Sequence, residues 1–169
     1  MNIDGFIKIN RLRPADAIVV KKVGIGLLKH YIIYLGIIDG HHRFMANYTK
    51  GINIISFAEL GRFLNNYSPV QLNRFIGNDF ERGDALDRAW SRKGEREYDL
   101  ILNNCEHYKN FVHYGYSKSD QVENVGIGLV AAGSAIAVGG VAGKDDKAAI
   151  GGLVLAGLGL VTLLMENDN

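Results

Sequence analysis

The chain has 169 residues, with 19 Lys/Arg against 18 Asp/Glu, a formal net charge of +1 and one cysteine. That length supports one good hydrophobic core, and the single cysteine excludes an intramolecular disulfide framework and any metal site built on paired thiolates. The near-neutral charge gives no broad electrostatic signal for nucleic acid, so no nucleic-acid partner is expected; no metal and no cofactor are expected either.

The amino end, M-N-I-D-G-F-I-K-I-N, lacks a basic head followed by an apolar run, so no signal peptide and a cytoplasmic location are expected. Residues 16 to 22 are β-branched after Pro14 and predict a strand, which V-G-I-G-L-L (23 to 28) either continues or leaves as a short apolar loop. H-Y-I-I-Y-L, residues 30 to 35, reads as a buried strand. Asp39-Gly40 is a hairpin signal, returning H-R-F-M-A-N-Y antiparallel to it, and Ile52 to Ile55 is a further short strand. Ser56 and Glu59 form a capping box opening a helix whose Phe57, Leu60, Phe63 and Leu64 share one face. A second helix is predicted over Asp84 to Lys93, with Leu86, Ala89 and Trp90 buried and Gly94 at its end. Tyr98 to Leu102 reads as a strand. N-N-C-E-H-Y-K-N-F-V-H-Y-G then reads as a helix capped by Asn103 or Asn104, with Tyr108, Phe111 and Val112 inward and Gly115 as its stop. The order predicts an α+β fold with an antiparallel sheet.

Cys105 therefore stands at a helix amino terminus, where unpaired amides and the helix dipole favour thiolate over a thiol that ordinarily ionises near pH ~8.5. A nucleophilic cysteine also needs a base, and five histidines are available. His107, two residues along the same helix, is rotated by about 200° and points away. His113 lies about two turns further down that helix and reads as a surface or packing residue. His30 opens an apolar strand, an odd place for a structural histidine, and is the best candidate base. A turn centred on Ile38-Asp39 would place Asn47 opposite His30. By residue type His42 competes for the orienting role, so Asn47 and His42 both stand; His41 lies on the turn itself and is the weakest.

Residues 125 to 143 and 148 to 165 carry no Asp, Glu, Lys or Arg, marking a boundary near residue 123. As helices these runs of 19 and 18 residues would each span about 27 to 28 Å, close to a ~30 Å hydrocarbon core. G-K-D-D-K supplies the turn between them. Gly139-x-x-x-Gly143 and Ala148-x-x-x-Gly152-x-x-x-Ala156 offer close helix–helix contact. A hydrophobic helical hairpin over 124 to 169 is expected, associating with a membrane through residues 125 to 165.

The run N-C-E-H-Y-x-x-F-V-x-Y-G-x-x-x-S-D-Q-V, residues 104 to 122, resembles the signature of the lecithin:retinol acyltransferase (LRAT)-like family, an N-C-E-H-F box followed by R-Y-G and S-D-Q-V elements. H-Y-I-I-Y-L-G (30 to 36) is similar to the family's histidine box, H-W-A-I-Y-V-G or H-Y-G-I-Y-L-G, and R-P-A-D-A-I-V-V (13 to 20) to its P-G-D-L-I-E strand. The resemblance implies a circularly permuted papain-like (NlpC-type) domain over residues 1 to 123. It also implies an enzyme whose cysteine takes an acyl group from a phospholipid as a thioester and passes it to an amine, an alcohol or water. Carried over, Cys105 is the nucleophile and His30 the general base. The family's second histidine falls on His42 when counted from Gly36, but the R-F-M-A-N context departs from V-V-H-L-A, and aligning its apolar end puts Phe44 there instead. The orienting residue is therefore His42 or Asn47. Two other functions remain open: an NlpC-type cysteine peptidase or amidase, and a non-catalytic, membrane-inserting effector-like protein using the domain as a scaffold.

Overall fold

A computed structural model describes residues 3–21, 29–48, 50–66, 71–96, 104–117 and 119–167. They fall into two units, one of residues 3–96 with 104–117 and one of residues 119–167. The expected strand at Tyr98 to Leu102, the V-G-I-G-L-L stretch and the candidate cap Asn103 lie outside the described residues.

The first unit is α+β. Its sheet comprises β1 (Ala17–Lys21), β2 (Lys29–Ile38), β3 (His41–Tyr48), β4 (Gly51–Ile55) and β5 (Gln71–Asn73), ordered β4-β3-β2-β1-β5. All four pairings are antiparallel. Four helices accompany the sheet: α1 (Ile3–Asn10), α2 (Phe57–Asn66), α3 (Asp79–Ser91) and α4 (Cys105–Tyr114). One sheet face packs Ile18, Val20, Ile32, Tyr34, Phe44 and Ala46 against Ile7 of α1 and Leu60, Phe63 and Leu64 of α2. The other packs Ala17, Ile33, Leu35, Met45 and Ile52 against Ala85 and Ala89 of α3 and Tyr108 and Val112 of α4. With both faces covered, β2 has no solvent side, which is why it reads as a continuous apolar run instead of an alternating one.

Asp39 and Gly40 both take positive φ, +52° and +74°, as a two-residue hairpin loop twisted to match its strands requires. The register opens with Ile38 opposite His41 and slips by one between Tyr34 and Gly36, so that Ile33 pairs with Met45. Gly36 takes φ +95° at this bulge, and a Cβ there would press on Pro14 Cγ at 3.1 Å.

Several boundaries differ from the sequence expectation. α1 and β5 carry weak local signals and are found only in the folded unit. α3 starts at Asp79, five residues before Asp84, because Asn78 caps it and Glu81 closes a reciprocal capping box. It ends at Ser91, with Gly94 in the turn beyond at φ +91°. Phe57, expected inside, is 43% exposed and meets the sheet through an edge contact with Phe44, ring centroids 6.5 Å apart. Asp16 at the entrance to β1 is buried among four donors: the Arg13 and Phe75 amides and the Arg74 and Arg82 guanidinium groups. Burial pushes its carboxyl up, but these donors more than offset that and hold it below the ordinary aspartate value.

The second unit is a helical hairpin of α5 (Asp120–Gly143) and α6 (Asp146–Asn167). Its open end is tied by the Ser119 amide donating to the Glu166 carboxylate, both buried. At its tip Asp145 accepts from the Lys147 and Ala148 amides, 3.1 Å each. The helices meet backbone to backbone. A Cβ on Gly126, Gly133 or Gly140, spaced by seven on α5, would collide with α6, and one on Gly152 or Gly159 would collide with α5. A seven-residue repeat keeps one stripe facing its partner along the whole hairpin. Gly152 and Ala156 lie in this contact as expected, whereas Gly139 and Gly143 face open space, because the seven-residue stripe runs through Gly140. Val138, Val141, Ile150, Leu153, Val154 and Leu164 point outward and are more than half exposed.

Candidate active site

Asn104 caps α4. Its side-chain oxygen accepts from the Glu106 amide at 2.8 Å and the His107 amide at 3.1 Å, and its own amide donates to His107 Nδ1 at 3.3 Å. The cap makes Cys105 the first residue of the helix, and Gly115 ends it in the left-handed region at φ +82°.

The helix start lies against the beginning of β2. Cys105 Sγ sits 3.1 Å from the Lys29 carbonyl oxygen, to which its S–H donates, and 3.8 Å from His30 Nδ1, within hydrogen-bond range for sulfur. One residue further along both elements, the Tyr31 hydroxyl donates to Glu106 Oε1 at 2.8 Å. Both pairs span 75 residues, so they form two consecutive rungs between β2 and α4. Tyr31, Val19 and Cys105 make up a small buried cluster. The Lys109 ammonium stands 5.3 Å from the Tyr31 ring centroid. The half-buried His30 ring packs edge-on to Tyr48 at 6.1 Å and tilted to Phe63 at 5.7 Å. Tyr48 and Phe63 also line a cavity of about 220 Å³ whose other walls are Glu59, Arg62 and Asn66.

The thiol is not tuned as the helix-start position alone predicts. Cys105 is 4% exposed, and burial pushes its pKa up to about 12. The neighbouring Glu106 charge adds to the rise, and the amides of Tyr31, Cys105 and Glu106 oppose it without cancelling it. Desolvation of a thiolate outweighs the helix end here, so the resting group is a thiol.

The other sequence candidates are spread over the fold. His42 pairs with Ile37, seven residues along β2 from His30 and so about 23 Å away at ~3.3 Å per residue. There its Nδ1 lies 2.5 Å from the Tyr34 hydroxyl. Asn47 is fully buried, and its amide donates to the Asn104 carbonyl at 3.4 Å. The register past the bulge sets it opposite Tyr31, not His30; the expected pairing assumed a turn at Ile38-Asp39 and no bulge. A one-residue slip changes the face, which places Asn47 beside the helix cap. His41 is exposed beside the turn. His107 is buried in the α4 cap, its Nδ1 accepting from the Asn104 amide. His113 is buried, donating from Nε2 to the Ala15 carbonyl at 2.8 Å. Tyr31 and Glu106 were missed as site neighbours. Their signal was the matching offset of the two pairs, which is visible only once His30 and Cys105 are known to meet.

The family model described as lecithin retinol acyltransferase matches residues 10–118. Human phospholipase A and acyltransferase 2 is 39% identical over 78 residues, a match covering 43% of each chain.

Proposed function

Because this chain belongs to the lecithin retinol acyltransferase family, we propose that it is a cysteine-dependent acyltransferase and phospholipase A-type acyl hydrolase acting on glycerophospholipids. The observation that carries the reading is the Cys105 Sγ to His30 Nδ1 approach of 3.8 Å at a capped helix start. In this reading the S–H swings from the Lys29 carbonyl to His30 Nδ1, which takes the proton as the sulfur attacks the ester carbonyl carbon. The oxyanion so formed is met by backbone amide at the start of α4. Asn104 already takes the Glu106 and His107 amides, so this role falls to the Cys105 amide. The C–O bond to the lysophospholipid breaks, its oxygen receives the proton from the imidazolium, and an acyl-Cys105 thioester remains. An amine, an alcohol or water then loses a proton to His30 and attacks the thioester, restoring the thiol.

His42 is too far along β2 to orient His30. Asn47 acts from the α4 cap, holding Asn104 and through it the cysteine. A histidine strand preceding a cysteine helix that packs on an antiparallel sheet supports a circularly permuted papain-like domain over residues 1–123. Residues 124–169 serve as its membrane anchor. α5 and α6 are 24 and 22 residues long, roughly 33 to 36 Å, enough to cross a ~30 Å core, and their large apolar side chains point away from each other. The catalytic domain then works on the cytoplasmic membrane surface, where its acyl donor lies.

Incubation with phospholipid vesicles is expected to add one acyl mass to Cys105, absent in Cys105→Ala and strongly reduced in His30→Ala. A folded wild type with no adduct and no lysophospholipid overturns the reading. Burial of the thiol favours a second reading, a membrane-inserting protein that uses the domain as a scaffold. Vesicle leakage that persists in Cys105→Ala, without lipid turnover by the wild type, would select it.

A further inference from the structure

α2 presents Glu59, Arg62, Phe63 and Asn66 to the 220 Å³ cavity, the i, i+3, i+4, i+7 spacing of one helix face. Three of these are polar, and the fourth, Phe63, is the ring that packs on His30. Tyr48 completes the partition, 5.4 Å from Phe63 and 6.1 Å from His30 between ring centroids. Two residues that line the cavity therefore touch the histidine that the thiol also approaches.

The polar groups differ in what they are already doing. Glu59 Oε2 accepts from the Ser56 amide and hydroxyl at 2.9 Å each, which closes the α2 capping box. Arg13, Arg74, Arg82 and Arg92 are each committed to a carboxylate. Arg88 is committed to the carbonyls ending α4. Arg62 is exposed, acts on the Glu59 carboxylate through its charge without a salt bridge among the described residues, and lines the cavity with its planar, permanently charged fork, a geometry suited to phosphate. Beside it stands the Asn66 carboxamide, able to donate to a phosphate oxygen or accept from a headgroup.

We propose that this cavity binds the phosphodiester headgroup of the donor glycerophospholipid, with Arg62 on the phosphate and Asn66 beside it, so that the lipid ester is presented past the Tyr48–Phe63 wall to His30 and Cys105. The proposal rests on the acyl-transfer reading for its consequence, but the binding step does not require the thiol. Arg62 and Asn66 are specificity-determining residues in it, and Phe63 links headgroup occupancy to the position of the base.

Two measurements test it. In the full chain carrying Cys105→Ala, where no turnover occurs, glycerophosphocholine is titrated by calorimetry. Saturable binding is expected, weakened about tenfold or more by Arg62→Gln and only partly recovered by Arg62→Lys, which restores the charge but not the planar fork. No binding, or equal binding by Arg62→Gln, overturns the site. Inorganic phosphate binding as tightly as the glycerophosphodiester would assign the cavity to free phosphate and overturn the lipid source. In the active chain, kcat/KM is compared for monomeric dihexanoylphosphatidylcholine and for p-nitrophenyl butyrate, an ester without phosphate. Arg62→Gln is expected to lower the first at least tenfold more than the second, mainly through KM, and an equal loss on both overturns the proposal. If the wild type turns over neither ester, the acyl-transfer reading falls while calorimetry still decides the cavity.

Discussion

The two units bury opposite things. In the sheet unit, large side chains such as Ile32, Phe44, Met45 and Tyr108 are fully enclosed, and polar groups enter the interior with partners, as Asp16 and Glu106 do. In the hairpin, glycine backbone lies inside while valine, isoleucine and leucine face out. The first arrangement is what water imposes, since apolar area leaves the solvent and each buried polar group needs a partner. The second is suited to a solvent as apolar as leucine, where close backbone packing, not side-chain burial, holds helices together. A similar supply of apolar residues gives two architectures because the expected surroundings differ.

The largest effect sharpens that contrast chemically. Cys105→Ala is expected to reduce lipid turnover by about 10,000-fold or more while vesicle co-flotation, which the proposed membrane anchor would supply, stays as in the wild type. Parallel loss of both would show that the two units do not act separately. Next, Gly133→Leu or Gly140→Leu should force α5 and α6 apart at a cost of about 3 kcal/mol, whereas Gly139→Leu, which faces open space, should be neutral. Fluorophores at the two ends of the hairpin would read the separation by energy transfer, and a Gly139→Leu effect as large as that of Gly133→Leu would break the assigned stripe.

Acid should act on the sheet unit. Burial lowers the His113 pKa to about 4 despite its bond to the Ala15 carbonyl, while in the unfolded chain it titrates near ~6.5. Above pH ~6.5 both states are neutral and the linkage is silent. Below it the unfolded state takes the proton first, so stability falls, by about 3 kcal/mol by pH 4. The Asp16 carboxylate, held below its ordinary value, adds a loss only at lower pH still. Denaturant titrations at pH 7 and pH 4.5 should show the drop, and His113→Gln, which keeps a donor without a titrating ring, should lack it.

The smallest effect concerns the second rung. Tyr31→Phe removes the donor to Glu106 and should cost about 1 to 3 kcal/mol. Glu106→Gln keeps an acceptor but deletes the charge that helps raise the thiol, so its Cys105 should react faster with iodoacetamide at pH 8. In the wild type that rate should climb nearly tenfold per pH unit between 7 and 9, as a resting thiol requires. A flat profile would show a preformed thiolate–imidazolium pair.

How much of this was legible depended on how local each feature is. Asp39-Gly40, the Ser56–Glu59 box, Asn104 as cap and Gly115 as stop are settled within four residues, and the structure has each of them. The absent charge of the tail and its length were equally plain. β5 and α1 carried too little local signal, and the start of α3 was missed although Asn78 and Glu81 obey the same capping rule. At the candidate site, Cys105 and His30 could be picked by residue type and context, whereas the strand position that Asn47 faces depends on a bulge at Gly36 that no spacing rule displays.

By itself, then, the sequence determined where Cys105 stands on its helix, which strand bears His30 and where the apolar tail begins, because caps, turns and charge-free runs are satisfied among neighbours. Only the tertiary structure decided that the thiol meets His30 across 75 residues, that Tyr31 and Glu106 form the adjoining rung, and that burial pushes the thiol's pKa up. Those outcomes depend on strand register and on water excluded from both sheet faces, and both arise from segments far apart in the chain.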